Sequence, residues 1–132
     1  MNRISEEELR APVRRWVKER GLDPKDEIPT WGKVPDILGL DGDTVVVAIE
    51  MKISNWQRAL YQALMYTMFA SESYVAMPEN KRGVLIKNLS QFEKWNIGIL
   101  IVNSDDDVMR LRTPKSRNQT AVGSNTSRSF LG

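Results

Sequence analysis

The chain has 132 residues, 41% of them hydrophobic and 27% charged, enough for one soluble domain with a core of its own. It contains no cysteine and no histidine, which excludes disulfides, thiolate or imidazole catalysis, and metals bound through sulfur or imidazole. The formal charge is +2, but residues 1–112 carry 16 basic against 17 acidic side chains, so charge gives no argument for a nucleic-acid partner.

Ser5-Glu6-Glu7-Glu8 has the Ser-x-x-Glu form of a capping box. Leu9, Val13, Trp16 and Val17 follow as a helical stripe, closed by Lys18, Arg20 and Gly21. Pro12 predicts a kink, or a helix proper that starts near it. Residues 22–33 read as loop with a short strand around Glu27–Thr30. Val34–Leu40 and Thr44–Lys52 are predicted strands joined by Asp41-Gly42-Asp43, a hairpin signal. A helix is expected from Asn55 to about Ala70, and a strand at Ser73–Met77 that Pro78 ends. After a basic loop at Lys81-Arg82 come a short helix near Ser90–Trp95, a strand at Ile97–Asn103, a turn at Asp105–Asp107 and a last strand at Val108–Arg112. Residues 114–132 are Ser/Asn/Thr/Arg-rich and are expected to be a disordered basic tail behind a domain of residues 1–113. The element order predicts an α/β fold, a central mixed sheet flanked by helices. No apolar stretch approaches about 18 residues and the N-terminus is not signal-like, so a cytoplasmic protein with no membrane partner is expected.

Chemistry concentrates in the predicted hairpin. Strand alternation puts Thr44, Val46, Ala48, Glu50 and Lys52 on one face. A three-residue loop at 41–43 would pair Leu40 with Thr44 and Asp36 with Ala48, making Asp36 and Glu50 diagonal neighbours roughly 7–8 Å apart. Two converging carboxylates with a lysine beside them suit a hard cation such as Mg²⁺ or Mn²⁺, which keeps several waters and can activate one for phosphodiester hydrolysis. Lys52 would orient or deprotonate that water or bind the charged transition state. No histidine is needed.

Val34-Pro35-Asp36-Ile37 followed by Ile49-Glu50-Met51-Lys52 resembles the PD-(D/E)xK nuclease superfamily, with its restriction-endonuclease-like core of αβββαβ order. The stretch from Val34 to Ser54 is similar to archaeal Holliday junction resolvases, and Gln62-Ala63-Leu64-Met65-Tyr66 looks like the Gln-x-x-x-Tyr helix motif of the recombination-exonuclease branch. The resemblance implies Asp36 and Glu50 as metal ligands, the Met51 backbone carbonyl as an extra ligand, Lys52 as the residue assisting water, and Gln62 and Tyr66 as substrate-binding residues. Resolvase relatives also use an acid on the first helix; Glu6 is the candidate, with Glu7 or Glu8 as alternatives. The implied protein is a metal-dependent endonuclease acting on DNA, expected as a homodimer. A Holliday junction resolvase is the alternative, and so is a catalytically silent nucleic-acid binder of the same fold.

Plainer readings stand beside these. Acids in a first helical turn offset the helix dipole, and Gln62 and Tyr66 would also suit a polar patch on a packed helix. Arg10, Arg14 and Arg15 read as a solvated helix face, with backbone phosphate contact the alternative. Trp16, Trp31, Trp56 and Trp95 read as core or interface residues rather than base-stacking platforms.

Overall fold

Hydrophobic periodicity switches from helical to alternating and back along this chain, and each switch becomes an element boundary. The structure, a computed structural model, describes residues 5–117. A 3₁₀ turn, Glu6–Leu9, leads into α1 (Arg10–Glu19). The Ser5 N–H donates to the Glu8 carboxylate at 3.4 Å, the backward arm of the expected capping box. Pro12 sits in the first turn of α1, where N–H groups lack helical partners anyway, so the proline is accommodated by a change of helix type ahead of it.

Six strands follow in one sheet: β1 (Asp23–Asp26), β2 (Ile37–Asp41), β3 (Thr44–Met51), β4 (Glu72–Pro78), β5 (Gly98–Val102) and β6 (Val108–Arg112). They lie in chain order, with β3, β4 and β5 parallel and the other neighbours antiparallel. Helix α2 (Trp56–Tyr66) connects β3 to β4, while α3 (Arg82–Lys87) and α4 (Leu89–Trp95) connect β4 to β5. This is an α/β fold with a mixed sheet between helical layers. Leu9 of the 3₁₀ turn and Val13 and Val17 of α1 pack on Val47, Ile49, Met51, Tyr74, Ala76 and Leu100 on one face. Ala59, Leu60 and Ala63 of α2, with Leu85 and Phe92, cover Val75, Met77, Ile99 and Ile101 on the other. No helix among the described residues is long and apolar enough to cross a membrane.

Four expectations change. The edge strand is Asp23–Asp26, not Glu27–Thr30; three of its four residues are charged, which hides it from pattern reading and also discourages pairing with another sheet. Helix α2 stops at Tyr66 rather than near Ala70, and the chain turns back through Thr67–Phe69. The basic loop is largely helical, because Leu85 is fully buried beside Phe92 and ties α3 to the core. The segment after β6 stays on the fold as far as Arg117: Pro114 is buried, the Lys115 N–H donates to Asn96 Oδ1 at 2.8 Å and the Arg117 N–H to the Ser71 carbonyl at 2.9 Å. Residues 118–132, the rest of the expected tail, lie outside the described residues.

Gly98 shows how close this packing is. A Cβ there would stand 2.4 Å from the Tyr74 ring and 2.7 Å from Pro114. Gly98→Ala is therefore expected to lose about 1–3 kcal/mol in urea unfolding, the cost of forcing an atom into a filled site.

Candidate functional site

The β2–β3 hairpin is tighter than the sequence suggests. Its loop has two residues, with Asp41 opposite Thr44 and Leu40 opposite Val45; a bulge between Gly39 and Leu40 then leaves Gly39 opposite Val47 and Ile37 opposite Ile49. The expected three-residue loop and the Asp36–Ala48 pairing are thereby corrected. Continued one step past Ile37 and Ile49, the register sets Asp36 level with Glu50 instead of diagonal to it. The bulge also breaks the expected run of faces. Val45 joins Leu38 and Ala48 under α2, whereas Val46 packs with Val47, Ile49 and Met51 against α1. Leu38 and Ala48 each lie two residues from a carboxylate, so alternation carries Asp36 and Glu50 onto the α2 face.

Each carboxylate has one anchor. Asp36 Oδ2 accepts the Met51 N–H at 2.7 Å. Glu50 Oε1 accepts the Tyr66 hydroxyl at 2.5 Å, which makes Tyr66 a partner of the carboxylate. Gln62, one turn earlier on α2, is half-buried, and its side chain hydrogen-bonds to no described residue. Lys52 follows directly on β3, its N–H donating to the Ala76 carbonyl at 3.0 Å, and its side chain forms no ion pair within 4.0 Å among the described residues. Its positive charge still acts on Glu50.

Electrostatics binds these groups into one unit. Burial pushes the Glu50 carboxyl up to about 7; the Tyr66 bond and Lys52 pull the other way, while Asp36 and Glu6 add to the rise. The Asp36 carboxyl is raised too, again by burial first, against the pull of the Met51 N–H and Arg10 and with Glu6 and Glu27 adding. Among the three first-turn acids, Glu6 is the one that acts on both carboxyls. Glu7 pairs with Arg10 at 3.0 Å, and Glu8 accepts the Ser5 N–H. Glu6 does not, however, complete a cage: among the described residues, no three Asp, Glu, His or Cys side chains form a group able to hold a metal ion. A cation here would rest on the Asp36–Glu50 pair. Two hard oxygen donors that repel each other fit Mg²⁺ or Mn²⁺, whose remaining positions water fills.

Arg10 was read as a solvated residue, and the structure corrects this. Its side chain is 13% exposed; it donates to the Asp36 carbonyl at 2.9 Å and to Glu27 Oε2 at 3.0 Å. Arg14 and Arg15 are engaged as well, on Asp26 at 2.6 Å and on the Asp106 carbonyl at 2.7 Å. The signal for Arg10 was present: it falls three and seven residues before Val13 and Val17, on the stripe that packs against the sheet. No family model, curated protein or solved structure matches the chain.

The raised Glu50 carboxyl has a thermodynamic signature. The folded state holds that proton more tightly than the unfolded chain, so Glu50 contributes stability below about 4.5 that is lost as pH climbs through about 7. In urea unfolding across this range, Glu50→Gln is expected to flatten the slope and to exceed the wild type in stability at about pH 8. Adding Mg²⁺ or Mn²⁺ at that pH is expected to raise the melting temperature of the wild type and not of the variant. Tyr66→Phe removes a bond that stabilises the charged carboxylate and is expected to move the wild-type pH midpoint upward.

Proposed function

We propose that this protein is a metal-dependent nuclease of PD-(D/E)xK type that hydrolyses DNA phosphodiester bonds. The observation that carries the reading is the level placement of two half-buried, mutually repelling carboxylates, Asp36 and Glu50, on one face of a hairpin, with the Lys52 charge acting on Glu50. Burial raises the energy of a charged pair unless something opposes it, and a divalent cation is the simplest such partner. The element order from α1 to β4 is helix, three strands, helix, strand, and supports a restriction-endonuclease-like core.

In this reading Asp36 and Glu50 hold Mg²⁺ or Mn²⁺, which supplies Lewis-acid polarisation of the phosphate and a more acidic bound water. The Met51 N–H and the Tyr66 hydroxyl each fix one oxygen of a carboxylate, so the other oxygens are oriented before any cation arrives. Arg10 holds the Asp36 backbone in place from α1. Lys52, unpaired among the described residues, positions the attacking water. Gln62 is placed one helical turn from Tyr66 to meet substrate backbone.

A catalytically silent nucleic-acid binder is the second reading, favoured by the lack of a third acidic ligand among the described residues. The two separate in a cleavage assay on linear duplex, single-stranded, flapped and four-way-junction DNA with Mg²⁺, Mn²⁺ or EDTA. Metal-dependent cutting is expected, with Asp36→Asn, Glu50→Gln and Lys52→Ala each slowing it at least about 100-fold and Glu6→Gln less than about tenfold. Metal-independent DNA binding with no cutting on any substrate would leave the silent reading in its place.

A further inference from the structure

The β1–β2 connection is an extension of the hairpin. Asp26 pairs with Ile37, the Glu27 N–H donates to the Asp36 carbonyl at 3.2 Å, and Thr30 bridges Lys33 through bonds of 2.7 and 2.9 Å, all in one continuous register. Pro29 and Pro35, which lack N–H groups, interrupt the ladder between them. The arm is held at its base, where Arg10 donates to both the Asp36 carbonyl and Glu27.

Its tip is Trp31-Gly32, with φ of 53° and 77°. Positive φ at both central residues is the signature of a type I′ turn, which favours Asn-Gly and is unfavourable for a side chain as large as tryptophan. Trp31 is nevertheless there, and 64% exposed. The other tryptophans have neighbours: Trp16 packs on Tyr74, Trp56 on Phe92, and Trp95 lies under the Lys94 ammonium. Neither folding nor turn chemistry accounts for an exposed indole at this tip. The segment from Ile28 to Pro35 carries one charge, that of Lys33, and runs directly into Asp36. Five residues of extended chain span at most about 17 Å, or about five nucleotide steps of a DNA strand.

We propose that Trp31 stacks on an unpaired base of DNA bound across the Asp36–Glu50 pair, so that the substrate is DNA with an extrahelical or single-stranded base near the scissile phosphate; this rests on the nuclease reading above. A perfect duplex keeps its base faces covered by their neighbours and offers the indole nothing to stack on. An unpaired base offers a free π-face, and Lys33 in the same turn suits the adjoining phosphate.

The test measures binding in EDTA to two fluorescein-labelled duplexes, one perfect and one carrying a single-nucleotide bulge, with 2-aminopurine at the bulged position as a second readout. Trp31→Asn is the informative variant, because it suits the turn: its melting temperature is expected to equal or exceed that of the wild type. It is expected to bind the bulged duplex roughly 5- to 150-fold more weakly, the range of one lost base–aromatic stack. It should leave the perfect duplex unchanged and lose the 2-aminopurine response. Trp31→Phe, which keeps a ring, loses less. Equal binding by wild type and Trp31→Asn overturns the inference, as does an equal loss on both duplexes or a change in sedimentation that marks Trp31 as a protein contact. In each of those cases, metal-dependent cutting abolished by Glu50→Gln leaves the nuclease reading standing. A wild type that neither binds nor cuts any DNA ends both.

Discussion

Between the turn and the carboxylates, β3 carries one residue more than β2, and Val46 absorbs the difference as a bulge. Without it the hairpin alternation would be out of step by one, and Glu50 would point into the α1 core alongside Leu9 and Val13. With it, Glu50 turns toward α2, meets Tyr66 and lies level with Asp36. Two neighbouring half-buried carboxylates are then unavoidable, and the surroundings respond to that. A backbone N–H takes one oxygen of Asp36, a phenol takes one oxygen of Glu50, and Arg10 and Lys52 supply positive charge. These contacts offset the burial penalty only in part, which is why both carboxyls stay raised.

Glu72 shows the opposite outcome on the same sheet. It is buried at the start of β4, and burial alone would raise its carboxyl as well. Arg20 donates two hydrogen bonds to it, at 2.9 and 3.3 Å, and Tyr74 another at 2.6 Å; together they bring it below the ordinary carboxylate range. Arg20 also stacks over Trp16, which packs edge-on against Tyr74, so the carboxylate sits in a closed network with nothing left to bind. A carboxylate that folding needs is paired by the fold itself. The contrast locates unspent electrostatic free energy at Asp36 and Glu50.

Much of this was legible in the residues. The strand cores around Val47–Met51, Tyr74–Met77 and Gly98–Val102 are apolar and short, the α2 stripe is periodic, and Asp41-Gly42 marks the hairpin. Asp36, Glu50 and Lys52 could be singled out because charged side chains at the end of an apolar strand contradict its pattern. The exact pairing could not be read, because a bulge leaves composition and spacing untouched while it reverses the faces upstream of it. Strand β1 was hidden because an edge strand needs no apolar alternation. Arg10 was misread because its charge masked its place on a buried stripe, and its acceptors, the Asp36 carbonyl and Glu27, are distant in sequence.

The packed segment at the end of the described chain has a practical consequence. Arg117 is tied to Ser71, just ahead of β4, while Glu50 and Met51 lie beside Val75 and Ala76 near the far end of that strand. Four to five residues of strand separate the two, about 15 Å. A fluorophore or surface tether attached just after Arg117 would thus start from the opposite end of the sheet, and immobilising the protein by that end would keep the Asp36–Glu50 pair away from the support.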